Sequence, residues 1–286
     1  MYVEITDVFL RDGLQDESVI VPTDRKLQIA RRLQEVGVPR IEVASFVNPK
    51  RVPQMADADD LFAARPEGAV TWIALALNAR GITRAQAAGA SEISVVASAS
   101  DAHSSANAGG TTREMLANQA PAIQAAQAAG TAVIGGISTA FTCPFEGEIP
   151  AAKLVEVVRP FTELGITTIG LADTLGNAEP AQVTDSVKAV QAAFPGVALS
   201  LHLHNAHGRA LETVAAALEL GITRFDSALG GFGGCPFAPG AAGNLNTLEL
   251  VEHLHALGVD TGIDVAALAQ LSADAADFVA AAPALA

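Results

Sequence analysis

Short apolar runs alternate along this chain with longer segments whose apolar residues recur every three or four positions. Eight of the short runs, rich in Val, Ile, Thr and Leu, read as strands: Val3–Phe9, Arg40–Ala44, Val70–Ala76, Glu92–Ala97, Ala132–Thr139, Thr167–Ala172, Ala198–His204 and Arg224–Ala228. Helical spacing fills the gaps. It is clear at Leu27, Ile29, Ala30 and Leu33 within Asp24–Val36, at Leu154, Val155, Val158 and Phe161 within Ala152–Leu164, and at Val214, Ala217 and Leu218 within Leu211–Leu220. Asn244 opens a further pattern over Leu245–Leu257, and one more helix is expected around Asp264–Ala281. Several helices stop at a glycine suited to a left-handed C-cap: Gly37, Gly89, Gly130, Gly165 and Gly221. Three of these lie in near-identical phrases, Glu35-Val36-Gly37-Val38, Glu163-Leu164-Gly165-Ile166 and Glu219-Leu220-Gly221-Ile222.

Eight strand–helix alternations imply right-handed crossovers and parallel strands, which close naturally into a (β/α)8 TIM barrel. The expected architecture is a single catalytic barrel domain over residues 1–286 with a short C-terminal helical extension. A doubly wound open sheet is the rival, but no Gly-x-Gly-x-x-Gly follows the first strand.

Composition narrows the function. Half the residues are hydrophobic and mean hydropathy is +0.33, enough for a large core. No apolar run reaches the ~18 residues of a membrane span. The start, Met1-Tyr2-Val3-Glu4-Ile5, reads as the first strand itself and has no targeting character, so a cytoplasmic location is expected. Two cysteines, Cys143 and Cys235, are too few for a disulfide framework. A net charge of −14 argues against nucleic acid and anionic membranes as partners.

Barrels carry their chemistry at the C-terminal ends of the strands, and reactive residue types fall there. Strand seven ends Leu201-His202-Leu203-His204, two imidazoles on one face of a strand; a shared metal and two satisfied core histidines are the competing readings. Strand one runs into Arg11-Asp12-Gly13, where Asp12 is either a hard oxygen ligand or half of a self-contained surface ion pair. Glu42, inside strand two, is a carboxylate that needs a partner if buried, and Arg11 is the candidate. Asp173 after strand six suits either proton chemistry or a turn. Asn244 suits either an amide-oxygen ligand or a helix N-cap, and both roles are compatible. The run Gly230-Gly231-Phe232-Gly233-Gly234-Cys235-Pro236-Phe237 sets one thiol in a glycine-rich loop, as a reactive group on a lid or as a small buried side chain. Imidazole nitrogens with carboxylate and amide oxygens suit a six-coordinate Mg²⁺ or Mn²⁺ better than a thiolate-seeking ion.

With these motifs the chain resembles the hydroxymethylglutaryl-CoA lyase family, from about Val3 to about Gly262. The resemblance rests on Arg11-Asp12-Gly13-Leu14-Gln15, Ile41-Glu42-Val43 with Ser45-Phe46-Val47-Asn48-Pro49-Lys50 and Val52-Pro53-Gln54-Met55, Cys143-Pro144-Phe145-Glu146-Gly147, Asp173-Thr174-Leu175-Gly176, His202-Leu203-His204 and Gly231-Phe232-Gly233-Gly234-Cys235-Pro236. It implies a divalent-metal-dependent retro-Claisen cleavage of an acyl-CoA thioester to acetyl-CoA and acetoacetate. It also implies metal ligands at Asp12, His202, His204 and Asn244, with Arg11, Glu42, Asp173 and Cys235 as catalytic groups, and a homodimer. A lyase acting on another 3-hydroxy-3-alkylglutaryl-CoA or a citramalyl-type thioester, a condensing transferase and a non-catalytic acyl-CoA-binding barrel are the alternatives. Asn205 replaces the usual Asp, Ala206-His207 replaces a Thr and an aromatic or basic residue, Ser18 replaces a common Lys and Ile134 a common Arg. These departures bear on the acyl group.

Overall fold

The computed structural model describes residues 1–234 and 243–283. Eight parallel strands close into a barrel: β1 Glu4–Asp7, β2 Arg40–Ser45, β3 Thr71–Ala76, β4 Glu92–Ser98, β5 Ala132–Ser138, β6 Thr168–Asp173, β7 Ala198–Leu203 and β8 Arg224–Ser227. β1 pairs with both β2 and β8, which completes the ring. All eight strands coincide with the expected runs.

Side-chain alternation sorts each strand into two faces. Residues such as Ile93 and Val95 on β4, Ile169 and Leu171 on β6, and Leu199 and Leu201 on β7 are buried beneath the outer helices. The inward positions carry polar or small side chains: Glu42, Gly170, Ser200, His202 and Asp226. The hydrophobic core therefore lies between strands and helices, while the barrel interior is left for chemistry.

The helices start and stop near the expected places. Thr23–Glu35, Ala151–Glu163, Ala210–Glu219 and Val265–Ala280 fall within a residue of the sequence pattern at their starts. Gly37, Gly89, Gly130, Gly165 and Gly221 all take positive φ, between 77° and 94°, as C-caps. Asp264 caps the last helix through the N–H groups of Ala266 and Ala267.

Two local features differ from the sequence expectation. β1 ends at Asp7, and Phe9–Gly13 winds into a π-helical turn in which the N–H groups of Arg11, Asp12 and Gly13 all converge on the Val8 carbonyl. Asp7 starts this turn by accepting from the Phe9 N–H at 3.0 Å, and Phe9 anchors it edge-on against Phe232 at 5.3 Å. Arg11 and Asp12 thus sit on a wide turn above the barrel, not on a strand. The helix expected to follow Asn244 directly begins at Thr247, with Asn246 as its N-cap through the Leu248 N–H.

Candidate active site

Three distant stretches converge over the mouth of the barrel. β7 presents His202, and His204 follows one step beyond its end, with ring centroids 5.3 Å apart. The π turn brings Asp12 to face them. Its Oδ2 lies 3.9 Å from the Nε2 of each histidine. One donor atom from each of Asp12, His202 and His204 falls within 4.8 Å of the other two, which suits a single metal ion.

Asn244 is the fourth member. An antiparallel bridge holds its backbone against His204. Its Nδ2 donates to Asp12 Oδ2 at 2.7 Å and to the Phe232 carbonyl at 2.9 Å. Its Oδ1 is buried with no hydrogen-bond partner among the described residues. A buried amide oxygen without a donor is unfavourable, and a hard cation would satisfy it. This orphaned oxygen, with one carboxylate and two imidazoles, matches the donor set for a divalent ion with mixed oxygen and nitrogen preference. Asn244 does not cap the following helix; Asn246 performs that role instead.

Gly233 forms the wall of this cluster. At φ +110° a Cβ there would lie 2.3 Å from Asn244 Nδ2 and 3.2 Å from Asp12 Oδ2. Only glycine lets the loop come so close.

Arg11 stands beside the cluster. Its Nε and Nη2 both reach Glu42 Oε2 at 2.5 Å, and its Nη1 pairs with Asp12 Oδ1. The pair is not the surface ion pair that sequence adjacency allowed, because both side chains are only 12% exposed. Burial works against the guanidinium charge, yet Asp12, Glu42 and Asp226 outweigh it and hold Arg11 firmly protonated. Burial likewise works against the Asp12 carboxylate, and Arg11 and the two histidines overcome it, so its pKa is depressed. Glu42 is raised, by burial first, with Asp226 and Asp12 adding to it and Arg11 opposing.

Asp226 on β8 is a residue that sequence reasoning missed. Its Oδ2 accepts from His202 Nδ1 at 3.3 Å. A carboxylate only accepts, so Nδ1 carries the proton and Nε2 is left facing Asp12. Burial would lower the His202 pKa, but its hydrogen bond to Asp226 and the charges of Asp12 and Asp226 raise it. The available signal was the one that singled out Glu42, a carboxylate at an inward position of a barrel strand.

Asp173 ends β6, where its carboxylate accepts from the N–H groups of Gly176 and Ala178, both at 3.1 Å. Burial pushes its pKa up to about 6 against those hydrogen bonds. The turn role is therefore filled, and a carboxyl able to exchange a proton near neutral pH remains beside His202. Gly176, at φ +65°, passes so near His204 that a Cβ would lie 2.8 Å from its Cβ.

Cys235 lies outside the described residues. Cys143 is buried, and its Sγ accepts from the Phe145 N–H at 3.4 Å. Among the departing positions, Asn205 Oδ1 accepts from the Ala210 N–H at 3.1 Å and starts a helix. Ser18 and His207 are exposed, and Arg209 pairs with Glu179. Ile134 is half-buried on β5.

A closed (β/α)8 barrel with an acid–imidazole–imidazole cluster at its mouth and a guanidinium beside it defines a barrel with a candidate active site suited to a metal ion. The HMGL-like family matches residues 2–275. A mitochondrial hydroxymethylglutaryl-CoA lyase of Mus musculus is 40% identical over 278 residues, 97% of this chain and 84% of that protein. The crystal structure of an HMG-CoA lyase from Brucella melitensis superposes with a TM-score of 0.93 at 38% identity, covering 98% of this chain and 99% of the other. Another, from Acinetobacter baumannii in complex with coenzyme A and 3-methylmalate, gives 0.93 at 39% identity over 99% and 92%. The chain belongs to the HMGL-like family, and it is a lyase.

Proposed function

We propose that this chain cleaves 3-hydroxy-3-methylglutaryl-CoA to acetyl-CoA and acetoacetate with the help of a divalent ion, Mg²⁺ or Mn²⁺. The observation that carries the reading is the convergence of Asp12, His202 and His204 on one ion-sized space, with the buried, unpartnered Asn244 Oδ1 alongside. A coenzyme A complex of a relative at 39% identity supports the thioester.

Asp12, His202, His204 and Asn244 would hold the ion. Bound there, it supplies Lewis acidity toward the substrate's tertiary hydroxyl and a neighbouring oxygen. Arg11, fixed by Glu42, is placed to stabilise the negative charge that grows on the thioester oxygen as the bond between the second and third carbons breaks. The hydroxyl proton leaves to a base, and Asp173, with its raised pKa, is suited to accept or relay it. Cys235 returns a proton to the enolate carbon, which completes acetyl-CoA, and its loop excludes water while it does so. A homodimer and a cytoplasmic location belong to the same proposal. Among the described residues, no helix is long and apolar enough to cross a membrane.

The test is a metal-dependent assay of hydroxymethylglutaryl-CoA cleavage with Cys235→Ala beside the native chain. Losing a positioned proton donor lowers the rate by about 10²–10⁴-fold, and the variant should keep its fold and bind Mn²⁺ normally. Unchanged turnover would remove the thiol from the mechanism.

A further inference from the structure

The interior of the barrel is unevenly filled. On the β1–β2 side the inward residues Thr6, Arg40, Glu42 and, past a bulge in β2, Ser45 are all buried, at 5% exposure or less. On the β4–β6 side Ser94 and Ser98 are buried, but several inward positions are small and half-exposed. Gly135 faces the helix Ala151–Glu163, because a Cβ there would strike the Phe161 ring at 2.7 Å. Gly136 therefore faces inward, where its nearest neighbours would be Val96 and Ser94. Gly170 points at Ser200, and Ala172 stands beside the metal-cluster residue His202 in strand register. Val96, Gly136, Ser138, Gly170 and Ala172 are each partly solvent-accessible inside the barrel. Such positions are normally packed by bulky branched side chains.

These residues outline a recess that starts at His202 and Ala172 and descends past Gly170 and Gly136. That is two residues of strand, or ~6.6 Å at about 3.3 Å each. Its lining is apolar with a few hydroxyls. The nearby cations are engaged elsewhere: Arg40 with Glu92, and Arg11 with Glu42 and Asp12. A carboxylate reaching below His202 into the recess would meet no counter-charge, so the fitting occupant of its depth is an alkyl chain.

We propose that this recess receives the alkyl group on the carbinol carbon of the substrate, and that Gly136 and Gly170 set its depth, so the chain accepts 3-hydroxy-3-alkylglutaryl-CoA thioesters with alkyl groups longer than methyl. The proposal rests on the lyase reading for the orientation of the substrate, since the hydroxyl must face the ion cluster. It goes beyond that reading in naming a substrate class and its selecting residues. Val96 narrows the recess from the β4 side, since its Cγ2 would stand 3.0 Å from a Cβ on Gly136.

Binding separates this inference from the chemistry. Isothermal titration with 3-alkylglutaryl-CoA esters, which lack the 3-hydroxyl and cannot be cleaved, would compare methyl, ethyl, propyl and butyl groups. Affinity should rise about fourfold per added methylene until the recess is full. In Gly170→Ala the butyl-to-methyl affinity ratio should fall at least tenfold, and in Val96→Ala, which removes bulk and introduces no clash, it should rise. Parallel turnover of the hydroxylated methyl ester reads the lyase activity on its own. Native protein that binds the butyl ester tenfold more weakly than the methyl ester overturns the recess, whatever its turnover. So does a butyl-to-methyl ratio that Val96→Ala leaves unmoved. Length-dependent binding without cleavage of any hydroxylated ester would keep the recess and overturn the lyase reading.

Discussion

Asp226 makes one hydrogen bond to the cluster, and that bond decides which nitrogen of His202 faces Asp12. Carboxylates in this position raise the basicity of the histidine as a ligand and fix its ring, and their loss typically weakens metal binding 10–100-fold. Asp226→Asn keeps the size and removes the charge. Its affinity for Mn²⁺, measured calorimetrically on the purified chain, should drop about tenfold, with the far-ultraviolet circular dichroism unchanged. An unaltered affinity would mean that packing alone orients the ring. At this scale the sequence was informative about Asp12, His202, His204, Arg11 and Glu42, because each is an unusual residue type at a strand end or on an apolar strand. Asp226 is just as unusual on its strand, yet it lies 24 residues from its partner, and only strand register across β7 and β8 reveals the pairing.

Between elements, the crossing of two glycine-rich segments determines where Asn244 sits. A Cβ on Gly243 would lie 2.0 Å from the Gly231 carbonyl oxygen and 3.0 Å from that of Gly233. Both are backbone atoms, so no side-chain rotation relieves the clash. Gly243→Ala must push the segments apart and carry Asn244, the next residue, away from Asp12. Metal affinity should fall at least tenfold, and stability by about 1–3 kcal/mol, the usual range for overpacking. Helix content should persist, since Asn246 caps Thr247–Ala256 independently of Gly243. Native affinity in this variant would show that the crossing does not position the ligand. The element scale also shows where sequence reading stops. Helix ends were legible because a C-cap needs positive φ and glycine supplies it, as at Gly37, Gly165 and Gly221. The π turn at Phe9–Gly13 was not, because three N–H groups sharing one carbonyl leave no residue signature. Asn244 and Asn246 are the same amino acid two positions apart, and only their partners in the fold tell them apart: the distant Asp12 for one and the local Leu248 N–H for the other.

At the scale of the whole barrel, its two ends meet at a carboxylate that no solvent reaches. Asp7, at the end of β1, accepts from the Phe9 N–H and from Thr247 Oγ1 at 2.7 Å, a contact across 240 residues of sequence. Thr247 also accepts from Ser227 on β8, so the first and last strands and the helix after them meet at this one acid. Burial raises its pKa to about 6, against the opposing effect of its hydrogen bonds. In the unfolded chain an aspartate titrates near 3.9. Between about pH 4 and pH 6 the folded protein therefore keeps a proton that the unfolded chain has released. Stability falls as pH rises through that window and is level above it with respect to this group. Two pKa units correspond to about 3 kcal/mol at 1.36 kcal/mol each. Asp7→Asn keeps an acceptor for Phe9 and removes the titration. Thermal midpoints of the two proteins, measured every half unit from pH 4 to pH 7, should separate in one direction. The native chain loses stability relative to Asp7→Asn as the pH climbs to about 6, and the difference is constant beyond. Parallel curves over the whole range would show that Asp7 ionises in the fold as readily as in water, and that the acid joining the two ends of the barrel is held by its hydrogen bonds alone.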